Sequence, residues 1–142
     1  MASYELVMIR PCYLVVDRET SNGISTRKLV IETAKFNVIT AYSSQEAIET
    51  LSKFPALDGI VTDSGMIDMP CHKLVSALRK IKPSIQIIVV CTPHHSECEG
   101  ADHFLESFNP KLLLDLLQKL QPEAAAHIER HNEDLENKYY NP

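Results

Sequence analysis

The chain has 142 residues and a net charge of −5, with 14 basic against 19 acidic side chains, and 44% of its residues are hydrophobic. This composition is typical of one globular domain and excludes fibrous and disordered classes. The acidic balance disfavours nucleic-acid binding, and no apolar run approaches the roughly 18 residues of a membrane-spanning helix.

Five short apolar runs divide the first 107 residues, and each predicts a β-strand. They are Tyr13–Asp17, Asn37–Tyr42, Gly59–Asp63, Ile85–Cys91 and His103–Ser107. The first, third and fourth runs are almost continuously apolar, which is typical of parallel strands buried on both faces. The second and fifth are less hydrophobic and are therefore predicted to lie at the edges of the sheet.

Helical patterns separate these runs. Helices are predicted over 22–35, 44–53, 71–81 and 110–120, with a short fifth over 96–100. Strands that alternate with helices predict a three-layer, doubly wound, flavodoxin-like (βα)5 fold with a parallel sheet of order 2-1-3-4-5. Residues 1–120 are assigned to this domain, and 121–142 are interpreted as a charged helical tail.

The order of several short motifs resembles the receiver domain of two-component response regulators. The matching segments are Leu14–Asp17, Ala41–Ile48, Asp58–Asp63 with Met66, Leu78–Pro83 and Gly100–Leu105. The resemblance implies a non-enzymatic, cytoplasmic signalling module whose partners are a histidine kinase or phosphotransfer protein and a downstream protein, and it leaves a homodimer open.

The resemblance also assigns roles to individual residues. Asp63 would be the phosphoacceptor, and Asp17, Asp63 and Gly65 would hold Mg²⁺. The acid that normally follows Asp17 is replaced here by Arg18, which would repel Mg²⁺ and could pair with Asp63 instead. The position of the switch hydroxyl falls on Cys91 or Thr92.

Two further switch positions lie in the fifth predicted strand. Ser107 replaces the family's lysine, whereas the aromatic switch position is kept as Phe104. The sequence therefore leaves two functions open. One is a phosphorelay receiver with Asp63 as acceptor, and the other is a pseudo-receiver that works by protein contact without phosphorylation or Mg²⁺.

Four cysteines occur without CxxC spacing, and with no export-signal pattern they are expected to be reduced thiols. Cys91, His94, His95 and Cys98 form a weak third candidate, a zinc or redox site. The predicted fold also brings Cys71 and His72 near this cluster, because they open the helix after the neighbouring strand.

Overall fold

The computed structural model describes residues 10–17, 26–92, 98–106 and 108–120. Five strands form one sheet: β1 Cys12–Val16, β2 Asn37–Ala41, β3 Gly59–Asp63, β4 Gln86–Val90 and β5 His103–Leu105. Four helices lie in the described ranges: α1 Thr26–Thr33, α2 Ser44–Lys53, α3 Cys71–Ile81 and α4 Pro110–Leu120.

All strand pairs are parallel, and the sheet order is β2-β1-β3-β4-β5, which confirms the prediction. The two less hydrophobic strands, β2 and β5, form the edges as expected. Because the strands are parallel, their carboxyl ends meet at one edge of the sheet, which is where ligands bind in open α/β folds. In the register of this edge, Asp63 lies opposite Val90.

The central strands are buried on both faces, as their continuous apolar runs predicted. Leu14, Ile60 and Val89 face one core layer, which α2 and α3 cover. Val15 and Val61 face the other layer, which α1 and α4 cover. The alternation of side chains along each strand therefore sorts the apolar residues into two cores on opposite sides of the sheet.

The connection between β4 and β5 departs from the prediction. A helix was expected over 96–100, but residues 98–100 form a turn in which Gly100 has a φ of +94°. A Cβ at Gly100 would lie 3.0 Å from Val75 Cγ1 on α3. The close approach and the positive φ both favour glycine. We call residues 91–92 and 98–102, the described part of this connection, the crossover segment.

Two smaller differences concern element ends. The first helix begins at Thr26, whereas the pattern predicted a start at residue 22, and residues 18–25 lie outside the described ranges. The tail over 121–142 also lies outside them. No helix in the described part of the chain is both long and apolar enough to cross a membrane.

Candidate functional site

Two aspartates lie side by side at the carboxyl edge of the sheet. Asp63 is the last residue of β3, and Asp17 directly follows β1, the strand that pairs with β3. The backbone N–H of Asp17 donates to the carbonyl of Ala41 at 2.8 Å, which fixes this position against β2. Asp63 is only 4% exposed. A carboxylate this buried needs a compensating charge or hydrogen bonds.

The compensating charge comes from Arg27, in the first turn of α1. Its Nη2 donates to Asp63 Oδ1 at 2.7 Å, and its Nη1 lies 3.6 Å from Asp17 Oδ1. The side chains of Arg27 and Asp63 are 18% and 6% exposed, so water screens this pair little. One guanidinium therefore bridges both strand-end carboxylates.

Packing against an aromatic ring holds the guanidinium in place. The Cζ atom of Arg27 lies 4.9 Å from the centre of the Phe108 ring, which is a favourable cation–π arrangement. The Nε atom of Arg27 is buried and has no hydrogen-bond partner in the described ranges. The orientation of Arg27 is thus set by its two carboxylates and by Phe108.

Arg27 is a functional candidate that reasoning from the sequence missed. That reasoning assigned the cation to Arg18, which lies outside the described residues. The sequence pattern did not give this position, because it predicted a helix start at residue 22, which puts Arg27 beyond the first turn. The observed start at Thr26 puts Arg27 within it. In a βα unit the first turn of the helix lies at the same edge as the end of the strand. A cation is also disfavoured at that end of a helix, because the helix dipole is positive there. An arginine at such a position therefore points to a carboxylate partner.

The carboxylates of Asp17 and Asp63 suit Mg²⁺ by chemistry, since this ion prefers oxygen ligands. The arrangement does not suit it, because the guanidinium of Arg27 already lies against an oxygen of each carboxylate. Gly65, the third expected position, is buried in the turn after β3. Within the described ranges, no group of three or more His, Cys, Asp or Glu side chains could hold a metal ion. The residues therefore do not fit Mg²⁺ in this structure.

Two hydroxyl groups lie just after the ends of β3 and β4. The side-chain oxygen of Ser64 accepts from the Thr92 N–H at 3.0 Å and lies 3.4 Å from Thr92 Oγ1. This contact ties the end of β3 to the end of β4. Of the two residues considered for the switch hydroxyl, Thr92 therefore faces Ser64, whereas Cys91 is half-buried and donates its N–H to Leu105. Ser64 was not anticipated from the sequence.

The switch positions after β4 are only partly described. Phe104 lies on β5 with 47% of its surface exposed. Ser107, which replaces the family's lysine, lies outside the described residues. In the described ranges, a cation bonded to Asp63 is Arg27 of α1.

The cysteines correct one prediction. Cys71 and Cys98 form a disulfide with a Cα–Cα distance of 5.3 Å, so they are not reduced thiols. Cys12 and Cys91 remain thiols, as expected. The expected proximity of Cys71 to the cluster is confirmed. Because Cys98 is bonded to Cys71, it is not a thiolate that could bind a metal ion. His94 and His95, the other members of the proposed metal site, lie outside the described residues.

The loop between β3 and α3 is anchored to the neighbouring helix. The carboxylate of Asp68 accepts from the Ser44 and Gln45 N–H groups at 3.1 and 3.0 Å, at the start of α2. Partial burial raises the pKa of Asp68, but these hydrogen bonds outweigh it and hold the pKa below its usual value. The side chain of Ser43 caps the same helix by accepting from Glu46 N–H. These contacts position the loop that leads away from Asp63.

Comparison with known proteins places this architecture. No protein-family model matches the sequence, and no curated protein is significantly similar to it. Solved structures do match. The chemotaxis response regulator CheY4 of Vibrio cholerae is 27% identical, with a TM-score of 0.63 over 78% of this chain and 98% of that one.

Two further structures agree with this. A response regulator receiver domain from Clostridium thermocellum is 21% identical, with a TM-score of 0.63 over 78% of this chain and 99% of that one. The HemR receiver domain from Leptospira biflexa is 24% identical, with a TM-score of 0.63 over 78% and 93% of the two chains. The chain therefore has the doubly wound fold of response regulator receiver domains, in a divergent form.

Proposed function

We propose that this protein is a pseudo-receiver, a signalling module that works by protein contact without phosphorylation or Mg²⁺. One observation carries the proposal. The carboxylate of Asp63, at the position of the family's phosphoacceptor, is buried and bonded to Arg27 at 2.7 Å. The receiver fold of its structural neighbours supports a role in signalling.

Charge explains why this ion pair opposes phosphorylation. Phosphoryl transfer to a carboxylate needs an electron-rich oxygen and a cation that neutralises the donor. Asp63 Oδ1 instead accepts a charge-assisted hydrogen bond, which lowers its nucleophilicity. The same guanidinium lies where a metal ion would have to contact both carboxylates.

A phosphorelay receiver is the second candidate, and the retained Asp17–Asp63 pair favours it. In that case a histidine kinase or phosphotransfer protein would donate to Asp63, and Arg27 would have to neutralise the incoming phosphoryl charge of about −1.5 to −2. Thr92 and Ser64 would be the nearby hydroxyl groups. This alternative predicts phosphorylation that persists when Mg²⁺ is chelated.

Intact-mass spectrometry separates the two functions. The full chain is incubated with an acyl phosphate as donor, once with Mg²⁺ and once with a chelator. We expect no gain of a phosphate mass in either condition. A gain that is absent in Asp63→Asn would refute the pseudo-receiver and establish the phosphoacceptor.

Thermal unfolding with added Mg²⁺ tests the same site without a phosphodonor. A ligand that binds the native state raises its unfolding temperature. We expect no Mg²⁺-dependent rise in the wild type, and a rise in Arg27→Met, where both carboxylates lose the guanidinium. Lys28→Met is the matched control, because Lys28 is the next residue on α1 and pairs with Glu32 at the surface. It should behave as the wild type does.

A further inference from the structure

Helix α3 is fastened to the crossover segment at both of its ends. At the first residue of the helix, Cys71 is bonded to Cys98. Near the other end, Arg79 Nη2 donates to the carbonyl of Gly100 at 3.2 Å and to Asp102 Oδ2 at 2.6 Å. These contacts hold a turn against α3 in the place where the fold was expected to have a further helix.

The two fastenings differ in chemistry. Asp102 is built into the sheet edge, because its Oδ2 also accepts from Ile87 N–H and its own N–H donates to Ile87. The Arg79 contact is thus part of the folded framework and independent of redox state. The Cys71–Cys98 bond can be opened by a reductant. Cys98 is only 3% exposed, so opening this bond releases a buried anchor of the segment.

The surroundings of Cys71 suit thiol–disulfide exchange. A cavity of about 550 Å³ is lined by residues 64–72, so Cys71 is part of its wall. Cys71 is also the first residue of an 11-residue helix, and Pro70 before it provides no side-chain cap. The positive end of a helix stabilises a thiolate, which makes such a cysteine a good attacking and leaving group.

We infer that Cys71 and Cys98 form a reversible redox switch that fastens the crossover segment to α3 when oxidised and releases it when reduced. A dithiol reductant attacks Cys71 Sγ, and Cys98 leaves and takes up a proton. The second thiol of the reductant then closes on the mixed disulfide, and Cys71 leaves as a thiolate that is protonated in turn. The reductant becomes a disulfide, and the protein gains two electrons and two protons.

The switch would act on the site described above through the chain itself. The crossover segment begins at Cys91 and Thr92, directly after β4, and Thr92 is bonded to Ser64 beside Asp63. Release of Cys98 therefore removes one of the two fastenings of a segment whose first residues border Ser64 and Asp63. This inference concerns the redox state alone and holds whether or not Asp63 accepts phosphate.

Thiol counting on the full chain tests the chemistry. Protein oxidised with glutathione disulfide is expected to expose two alkylatable thiols after denaturation, and four after prior treatment of the native protein with dithiothreitol. Peptide mapping should assign the protected pair to Cys71 and Cys98. Four alkylated thiols in the oxidised sample would refute the proposed switch, because no disulfide would have formed. A count that stays at two after treatment of the native protein with dithiothreitol would also refute it, because the disulfide would not be reducible. Cys91→Ser is the control variant and should keep the protected pair.

Proteolysis tests the structural consequence. A glutamate-specific protease cleaves after Glu99, which lies between the disulfide and the Arg79 contact. We expect cleavage at this site to be at least about tenfold faster in the reduced wild type than in the oxidised wild type. The Cys98→Ser variant, kept under the same oxidising conditions, should be cleaved as fast as the reduced wild type. Cleavage after Glu49, exposed on α2, reports general unfolding and should not change. Equal rates at Glu99 in both redox states would show that the bond does not fasten the segment.

Discussion

The contact between Arg27 and Asp63 makes a quantitative prediction for Arg27→Met. Methionine keeps much of the side-chain volume over Phe108 but removes the cation, so that Asp17 and Asp63 face each other without it. Breaking a fully buried pair costs about 3–5 kcal/mol, because the remaining charge is left in a poorly solvated site. Arg27 is 18% exposed, which admits some water. We therefore expect the free energy of unfolding to fall by roughly 2–3 kcal/mol.

Urea unfolding at pH 7, followed by circular dichroism, measures this loss. Lys28→Met is again the matched control, because the Lys28–Glu32 pair spans 4.0 Å between side chains that are 46% and 48% exposed. Such surface pairs contribute about 0.3–0.5 kcal/mol. The midpoint should therefore shift much more for Arg27→Met than for its neighbour, with an unchanged slope.

A double-mutant cycle isolates the contact from the loss of packing. Asp63→Asn removes the buried charge, so Arg27→Met should lower the free energy of unfolding less in the Asp63→Asn protein than in the wild type. We expect a coupling free energy of about 1.5–2.5 kcal/mol between the two positions. A coupling near zero, or an Arg27→Met loss no larger than that of Lys28→Met, would refute the assignment of Arg27 as the cation of this site.

Three further predictions concern single residues elsewhere. Lys35, in the turn two residues after the end of α1, has a φ of +67°. Lys35→Gly should therefore relieve strain and raise the free energy of unfolding by about 0.5–1 kcal/mol, measured by urea unfolding, and a loss of stability would contradict this. Because the pKa of Asp68 is lowered in the fold, its contribution is present at neutral pH and disappears as the pH falls below the usual carboxyl range. Asp68→Ala should therefore cost about 0.5–1 kcal/mol at pH 7 and progressively less in acid, and a pH-independent loss would argue against its hydrogen bonds to the start of α2. Burial and the negative charge of Asp58 raise the pKa of Cys12, so its iodoacetamide alkylation should reach half-maximal rate at higher pH in the native than in the denatured protein, and coincident profiles would contradict the shift.

Most of the fold was predictable from the sequence, because local patterns carry it. The apolar runs specified three strands buried on both faces, and the order of strands and helices then left few ways to close a parallel sheet. Predicted and observed bounds agree for β3, α2, α3 and α4. The β4–β5 connection could not be predicted in this way, because its turn depends on the long-range contacts of Cys98, Gly100 and Asp102 with α3.

The candidate site shows the same division between local and long-range information. The positions of Asp17 and Asp63 follow from strand ends, and the sequence placed both. Their partner is on a helix, 36 residues from Asp63 along the chain, and no local pattern pairs the two. The position of Arg27 depends on which face of α1 turns towards the sheet edge, and that face is set by the packing of α1 against α4. The packing that buries Val30 and Leu117 in one core also places Phe108 beneath the guanidinium. The cation bonded to Asp63 is therefore placed by tertiary packing, and single-residue substitutions in α1 are the direct way to test its role.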